Sequence, residues 1–288
     1  MSSVVAIIFG LLTALSNAVA VMFQHVATTA GDHRGWTWVR HVVRHPLWLL
    51  GWAGMLGSLV FQSVALHAGP LALVQPLLVS ELVIALVMRR LWRRQRLTRA
   101  AWTSALVTSV ALVVLLVVAR PRGTAVTPGP ARWFAFSALS TVLVGALVLV
   151  GRRGAPSRRA AGFATATAVL WALEATFIAA ATDALVAGGV PGLFASWSLY
   201  AVVACGLAGL TTEQVALRVG PLRISQPLIV IVDPLASVIL GVGLFGERLA
   251  PGAANLIAAA LAFAVMSAGI VVMTAAVPET LLPTPSGT

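Results

Sequence analysis

Apolar runs near 20 residues recur along the whole of this 288-residue chain. Each is long enough to cross a hydrocarbon core about 30 Å thick. Backbone groups in lipid must find their partners within the span, and consecutive apolar runs of this length do so as helices. The chain is 59% hydrophobic and only 9% charged, where a soluble domain would carry about 25% charged residues. The expected fold class is therefore all-α membrane protein. Nine spans are expected, at about 4–24, 46–67, 70–89, 101–119, 131–150, 161–182, 194–216, 221–243 and 252–274. The segment from Val4 to Val21 is already as long as a span, so a cleaved leader is not expected. Short connections leave one membrane domain over 1–276, and the tail from Val277 to Thr288, with three prolines, reads as disordered.

One stretch of this chain occurs twice. Leu59–Leu77 and Leu210–Leu228 align without a gap, 10 of 19 residues being identical. Each copy joins two apolar segments through a Gly-Pro link, Gly69-Pro70 and Gly220-Pro221, and continues through a second proline, Pro76 and Pro227. Internal repeats in a hydrophobic chain mark transporters built by duplication. A weaker match pairs Leu11–Ser16 with Val169–Glu174.

The net charge of +11 comes entirely from Arg, with no Lys. With heavy Ala, Gly and Val usage, this points to a GC-rich bacterial genome and a bacterial plasma membrane rather than to nucleic acid. Connections at 25–45, 89–100, 151–160 and 217–223 hold 15 Arg against 4 in the alternate ones. By the positive-inside rule the Arg-rich connections are cytoplasmic, with the N-terminus outside and the C-terminus cytoplasmic. The two Gly-Pro links then fall on opposite faces, so the copies are inverted. The expected architecture is two inverted four-helix repeats, about 4–119 and 161–274, joined by a linking helix at about 131–150. Trp36, Trp38, Trp48, Trp92, Trp102 and Trp133 cluster at span ends, where interfacial anchors belong.

The Ala65-Leu66, Gly69-Pro70, Pro76 series and its copy Ala216-Leu217, Gly220-Pro221, Pro227 resemble the drug/metabolite transporter superfamily, including its EamA-like and NIPA-like families. Glu247-Arg248-Leu249 and the degraded Gln95-Arg96-Leu97 match a further element of that pattern. The resemblance covers nearly the whole chain and implies the fold and transport more than a substrate. Nine spans with an external N-terminus are closer to the NIPA-like branch, which is associated with magnesium. That branch has a Gly-Glu pair in its second helix, where this chain has Gly57-Ser58, and the departure weighs against magnesium.

Four of the eight acidic residues lie deep in expected spans: Glu81, Glu174, Glu213 and Asp233. At 1.5 Å per residue, Glu81 is roughly 16 Å below Pro70 and Asp233 roughly 18 Å from Pro221, both near the midplane. There inverted-repeat transporters bind their cargo. A carboxylate at the bilayer centre costs about 2.5–3.5 kcal/mol even on a mild scale, so it needs a wet cavity, a partner or a proton. Every Arg lies at a span end or in a connection, which leaves an internal ion pair little scope. Asp183, Glu247 and Glu279 lie near interfaces, where solvated or Arg-paired roles are expected. Gln62 and Glu213 are repeat equivalents, as are Gln75 and Gln226. The prolines after the last two free a carbonyl four residues back, and such broken helices can line a cavity; a tolerated kink is the competing reading. Asn17 and Ser16, mid-span in the first helix, add polar lining or an interhelical bond.

His41 and His45 have the i, i+4 spacing of metal ligands, with His25 and His33 nearby, but they alternate with Arg34, Arg40 and Arg44. A basic segment touching anionic lipid fits better, and no metal or cofactor is expected. Gly51, Gly54 and Gly57 permit close helix packing. Trp171, one turn before Glu174, packs in the core or stacks on an organic cation. Cys205 is the single cysteine, so no intramolecular disulfide can form. Neither a phosphate-binding Gly-Lys loop nor a hydrolase nucleophile motif is present, and no enzymatic role is expected.

The leading expectation is a secondary transporter that moves a small solute by alternating access, with proton-coupled export. Gly69, Pro70, Pro76, Gly220, Pro221 and Pro227 would act as hinges or gates. The alternatives are a NIPA-like divalent-cation permease and a non-transporting membrane subunit or lipid-handling protein. Expected partners are the solute, protons or a cation, and anionic lipid at the Arg-rich loops, with no nucleic acid; a homodimer is compatible with the sequence.

Overall fold

The structure is a computed structural model that describes residues 2–29, 46–93, 98–123 and 127–276. Ten helices are described: α1 (Ser2–Thr29), α2 (Pro46–Ala68), α3 (Leu71–Leu78), α4 (Ser80–Arg93), α5 (Arg99–Ala119), α6 (Pro130–Gly151), α7 (Pro156–Ala195), α8 (Trp197–Val219), α9 (Leu222–Phe245) and α10 (Ala253–Ala276). Among the described residues they form nine helical segments long and apolar enough to cross a membrane, α3 and α4 together making one, and there is no β-strand. This agrees with the span count expected from the apolar runs. The histidines from His33 to His45, the Gln95-Arg96-Leu97 copy and the tail from Val277 lie outside the described residues.

The chain divides into two compact units, Met1–Arg96 and Leu97–Thr288. In the first, α1 packs along α2 and also touches α3 and α4. Without a hydrophobic drive between helices in lipid, close approach through small residues holds such pairs. Gly51 and Gly54 supply it: a Cβ at Gly51 would come 3.0 Å from the Ala20 carbonyl oxygen, and one at Gly54 3.1 Å from the Ala20 Cβ. The Ser16 hydroxyl donates to the Gly54 carbonyl at 3.0 Å, so this serine bridges helices. The third span is broken where Pro76 removes a donor. Val79 N–H reaches the Pro76 carbonyl at 3.1 Å and Leu82 N–H the Val79 carbonyl at 3.2 Å. The Ser80 hydroxyl meets the Leu77 carbonyl at 2.6 Å, satisfying an acceptor at the break.

In the second unit α7 is central, packing on α6, α8 and α9. It is longer than the expected 161–182 span: 40 residues, about 60 Å at ideal rise and so twice the hydrocarbon thickness. The excess is folded rather than straight. Gly189 adopts φ 62°, ψ −159° ahead of Pro191, a conformation open to glycine. The fourth span, α5, lies in this unit against α10, although the sequence repeat groups it with the first three. Buried Ala101, Ala105, Ala111, Ala259 and Ala262 line that pair. The connections after α5 and α9 meet at the same end. Arg122 and Arg248 exchange backbone hydrogen bonds at 2.9 and 3.0 Å, and Ala250 N–H donates to the Ala119 carbonyl at 2.7 Å.

Candidate functional site

The second unit brings three of the four deep carboxylates onto α7, α8 and α9. On α7 the face is built from Thr167, Trp171 and Glu174, at i, i+4 and i+7. On α8 the facing positions are Gly206, Gly209 and Glu213, at i, i+3 and i+7. Both series follow one side of a helix.

Contacts between the two series are specific. The Thr167 hydroxyl donates to the Thr212 hydroxyl at 3.0 Å. The Trp171 ring covers Gly209, where an added Cβ would lie 2.9 Å from the ring, and the Trp171 side chain hydrogen-bonds Glu213. The indole has only an N–H to offer, so Glu213 accepts. Glu174 lies over Gly206, where a Cβ would be 2.8 Å from its Oε1. Cys205 is within electrostatic reach of the same carboxylate.

From α9, Asp233 lies within electrostatic reach of Glu174 and accepts from the Ser237 hydroxyl one turn on, at 3.3 Å. Glu174, Glu213 and Asp233 are all half-buried. Arg159, on the same helix as Glu174, is about 22 Å away along the axis. Two acids within electrostatic reach in a low-dielectric setting repel unless a proton or a cationic group relieves them.

Glu81 belongs to the first unit, in the first turn of α4, half-buried and with a partner of its own. Gln75 is buried in α3 with its Nε2 lacking a partner, while Asn17 and Gln62 are half-buried on α1 and α2, and Gln226 is half-buried on α9. Of the solvated and Arg-paired roles expected for Glu247 near an interface, the solvated one does not fit. Glu247 is buried, its backbone N–H closes onto the Gly241 carbonyl at 3.0 Å, and its carboxylate occupies the space where Gly241 lacks a side chain.

The two Gly-Pro links are seated alike within their own units. A Cβ at Gly69 would come 2.5 Å from the Ala6 Cβ on α1, and one at Gly220 2.7 Å from the Ala160 Cβ on α7. Pro70 and Pro221 precede the first turns of α3 and α9, accepting from Leu73 at 3.0 Å and Ile224 at 3.0 Å.

Sequence reasoning singles out the carboxylates but passes over Ser237, Gly206 and Gly209. The i+4 spacing of Ser237 from Asp233 and the i, i+3 glycines ahead of Glu213 are the signals that could have found them. No group of three or more metal-ligating side chains is present among the described residues.

The chain is 27% identical over 253 residues to an uncharacterized protein of Corynebacterium glutamicum, the match covering 86% of each. No family model matches it. No solved structure does either.

Proposed function

We propose that this protein is a secondary active transporter of the drug/metabolite type, moving a small solute across the bacterial plasma membrane by alternating access, with proton-coupled export. The observation that carries this reading is that Glu174 and Asp233 lie within electrostatic reach of one another in the interior of an apolar helical unit, with no basic side chain in the middle of its spans. A shared proton or a cationic cargo relieves the repulsion of such a pair, and exchange of one for the other is the elementary step of antiport. Trp171 and Glu213 extend the polar face toward the Arg218 end of α8. An aromatic face beside carboxylates suits an organic cation.

The matching seats of Gly69 and Gly220 support a duplication; in this reading the copies are inverted and each link closes one end of the pathway. The Arg-rich ends contact anionic lipid on the cytoplasmic side in this reading. The test is pH-gradient-driven flux in proteoliposomes for Glu174→Gln, Asp233→Asn and Glu81→Gln. Loss of flux in the first two with correct insertion is expected. Normal, pH-dependent flux in the Glu174→Gln/Asp233→Asn double variant would overturn the mechanism.

A further inference from the structure

Four aromatic rings from four different helices meet at one end of the second unit. Trp133 of α6 stacks on Phe177 of α7 at 5.7 Å between centroids. It also meets Trp197 of α8 edge-on at 5.1 Å and Phe245 of α9 at 5.8 Å. Phe177 and Trp197 touch at 5.5 Å. These separations are those of rings in direct contact, so nothing the size of a solute fits between them. Phe177 is one turn from Glu174 on α7, and Trp197 is two turns from Cys205 on α8. The cluster therefore covers the carboxylate pair on the side of the Arg122–Arg248 backbone bridge.

The same rings have room to move. Trp133 and Trp197 also line a cavity of about 500 Å³ with Pro128, Pro130, Phe134 and Ser137. Phe134 and Trp197 are 78% and 52% exposed, so this cavity lies at the surface. Trp133 and Trp197 therefore border open space as well as each other.

We infer that the Trp133, Phe177, Trp197 and Phe245 cluster is a gate, closed in this structure, that separates Glu174 and Asp233 from one side of the membrane. The inference rests on the transport reading, in which cargo must reach those carboxylates from each side in turn. Trp133 is the pivot because it touches the other three rings. Ring packing joins the four helices at this point, so separating them by the thickness of one ring would open the gate.

The single native cysteine supplies a reporter. Cys205 lies at the depth of Glu174, and its labelling by a membrane-impermeant, sulfonated organomercurial applied from the gate side reads the gate directly. A Phe134→Cys variant in a Cys205→Ser background identifies which side that is. Cys205 of the wild type is expected to label slowly. Trp133→Ala should raise the rate about tenfold or more, since it separates three ring pairs and each pair strengthens closure by a factor of a few. Trp133→Phe should restore protection. Trp197→Ala, at a half-exposed position, is the second variant should Trp133→Ala not insert. Fast labelling of the wild type, or unchanged labelling in both alanine variants, overturns the gate. Labelling and flux separate the two proposals. Faster labelling in Trp133→Ala together with normal flux in the Glu174→Gln/Asp233→Asn double variant keeps the gate and removes the carboxylate mechanism.

Discussion

Glu174 and Asp233 act on one another, so their substitutions should not add. If the proposed mechanism holds, each neutral variant, Glu174→Gln or Asp233→Asn, should lose most pH-driven flux, and the double variant little more, because in that mechanism the two carboxylates act as one unit. A flux assay on the three proteins checks this, and a double variant whose loss is the product of the singles would mean two independent sites. Gly206 tests the geometry without touching a carboxylate. A methyl there would lie 2.8 Å from Glu174 Oε1 and must displace it. Gly206→Ala should lower flux about tenfold to a hundredfold, the range that follows from misplacing a reacting group by about 1 Å, with insertion unchanged. Thr108 gives a stability test at the same scale. Its hydroxyl is buried without a partner against Gly269 on α10. Replacing an unsatisfied polar group by an apolar one of similar shape is neutral or stabilising. Thr108→Val should therefore hold or raise the unfolding midpoint in detergent, and a clear drop would show that the hydroxyl has a partner after all.

At the scale of elements, proline has different effects in the two copies of the repeat. The third span is interrupted at Val79, three residues past Pro76, where Val79 N–H and the Ser80 hydroxyl bond the Pro76 and Leu77 carbonyls, whereas α9 runs on through Pro227 and Pro234 as one helix. The same Gly-Pro and Pro pattern thus sits in an interrupted span in one copy and in an uninterrupted helix in the other. The glycine of each link has no space for a side chain: Gly69 abuts Ala6, and Gly220 abuts Pro156 and Ala160. Gly69→Trp and Gly220→Trp should each push a link off its supporting helix and stop transport while the protein still inserts. Radiotracer flux beside a membrane-fraction blot measures both, and full activity in the two variants would remove the links from the gating scheme.

For the whole molecule, the backbone pairing of Arg122 with Arg248 places the connections after α5 and α9 on one side. In the orientation expected from the Arg count, that side is external and the Arg89–Arg99 connection cytoplasmic. Cysteines placed near Pro128 should be labelled by an impermeant thiol reagent in intact cells, and cysteines between Arg89 and Arg99 should be protected, in a Cys205→Ser background. The reverse pattern would exchange inside for outside and leave the packing of each unit unchanged.

The apolar runs by themselves determined the number of spans and nearly all their ends, because a membrane leaves the backbone no alternative to helix over such lengths. The linking span expected at 131–150 is found as Pro130–Gly151, and the last at 252–274 as Ala253–Ala276. The sixth span outruns its expected end at 182, because Asp183 and the glycines after it read as a terminus but continue as helix as far as the Gly189 turn. The deep carboxylates are equally legible, since a charge within an apolar run is conspicuous. Which of them meet is not. Equal depth points to Glu81 and Asp233; within the second unit the fold adds Glu174 within electrostatic reach of Asp233 and a hydrogen bond from Trp171 to Glu213. In water a helix declares its buried face by polarity. In lipid both faces are apolar, so rotation about the axis is set by where small residues let neighbours approach. Gly206 under Glu174, Gly209 under Trp171 and the alanines between α5 and α10 decide those rotations, and only the tertiary structure reveals what each one faces.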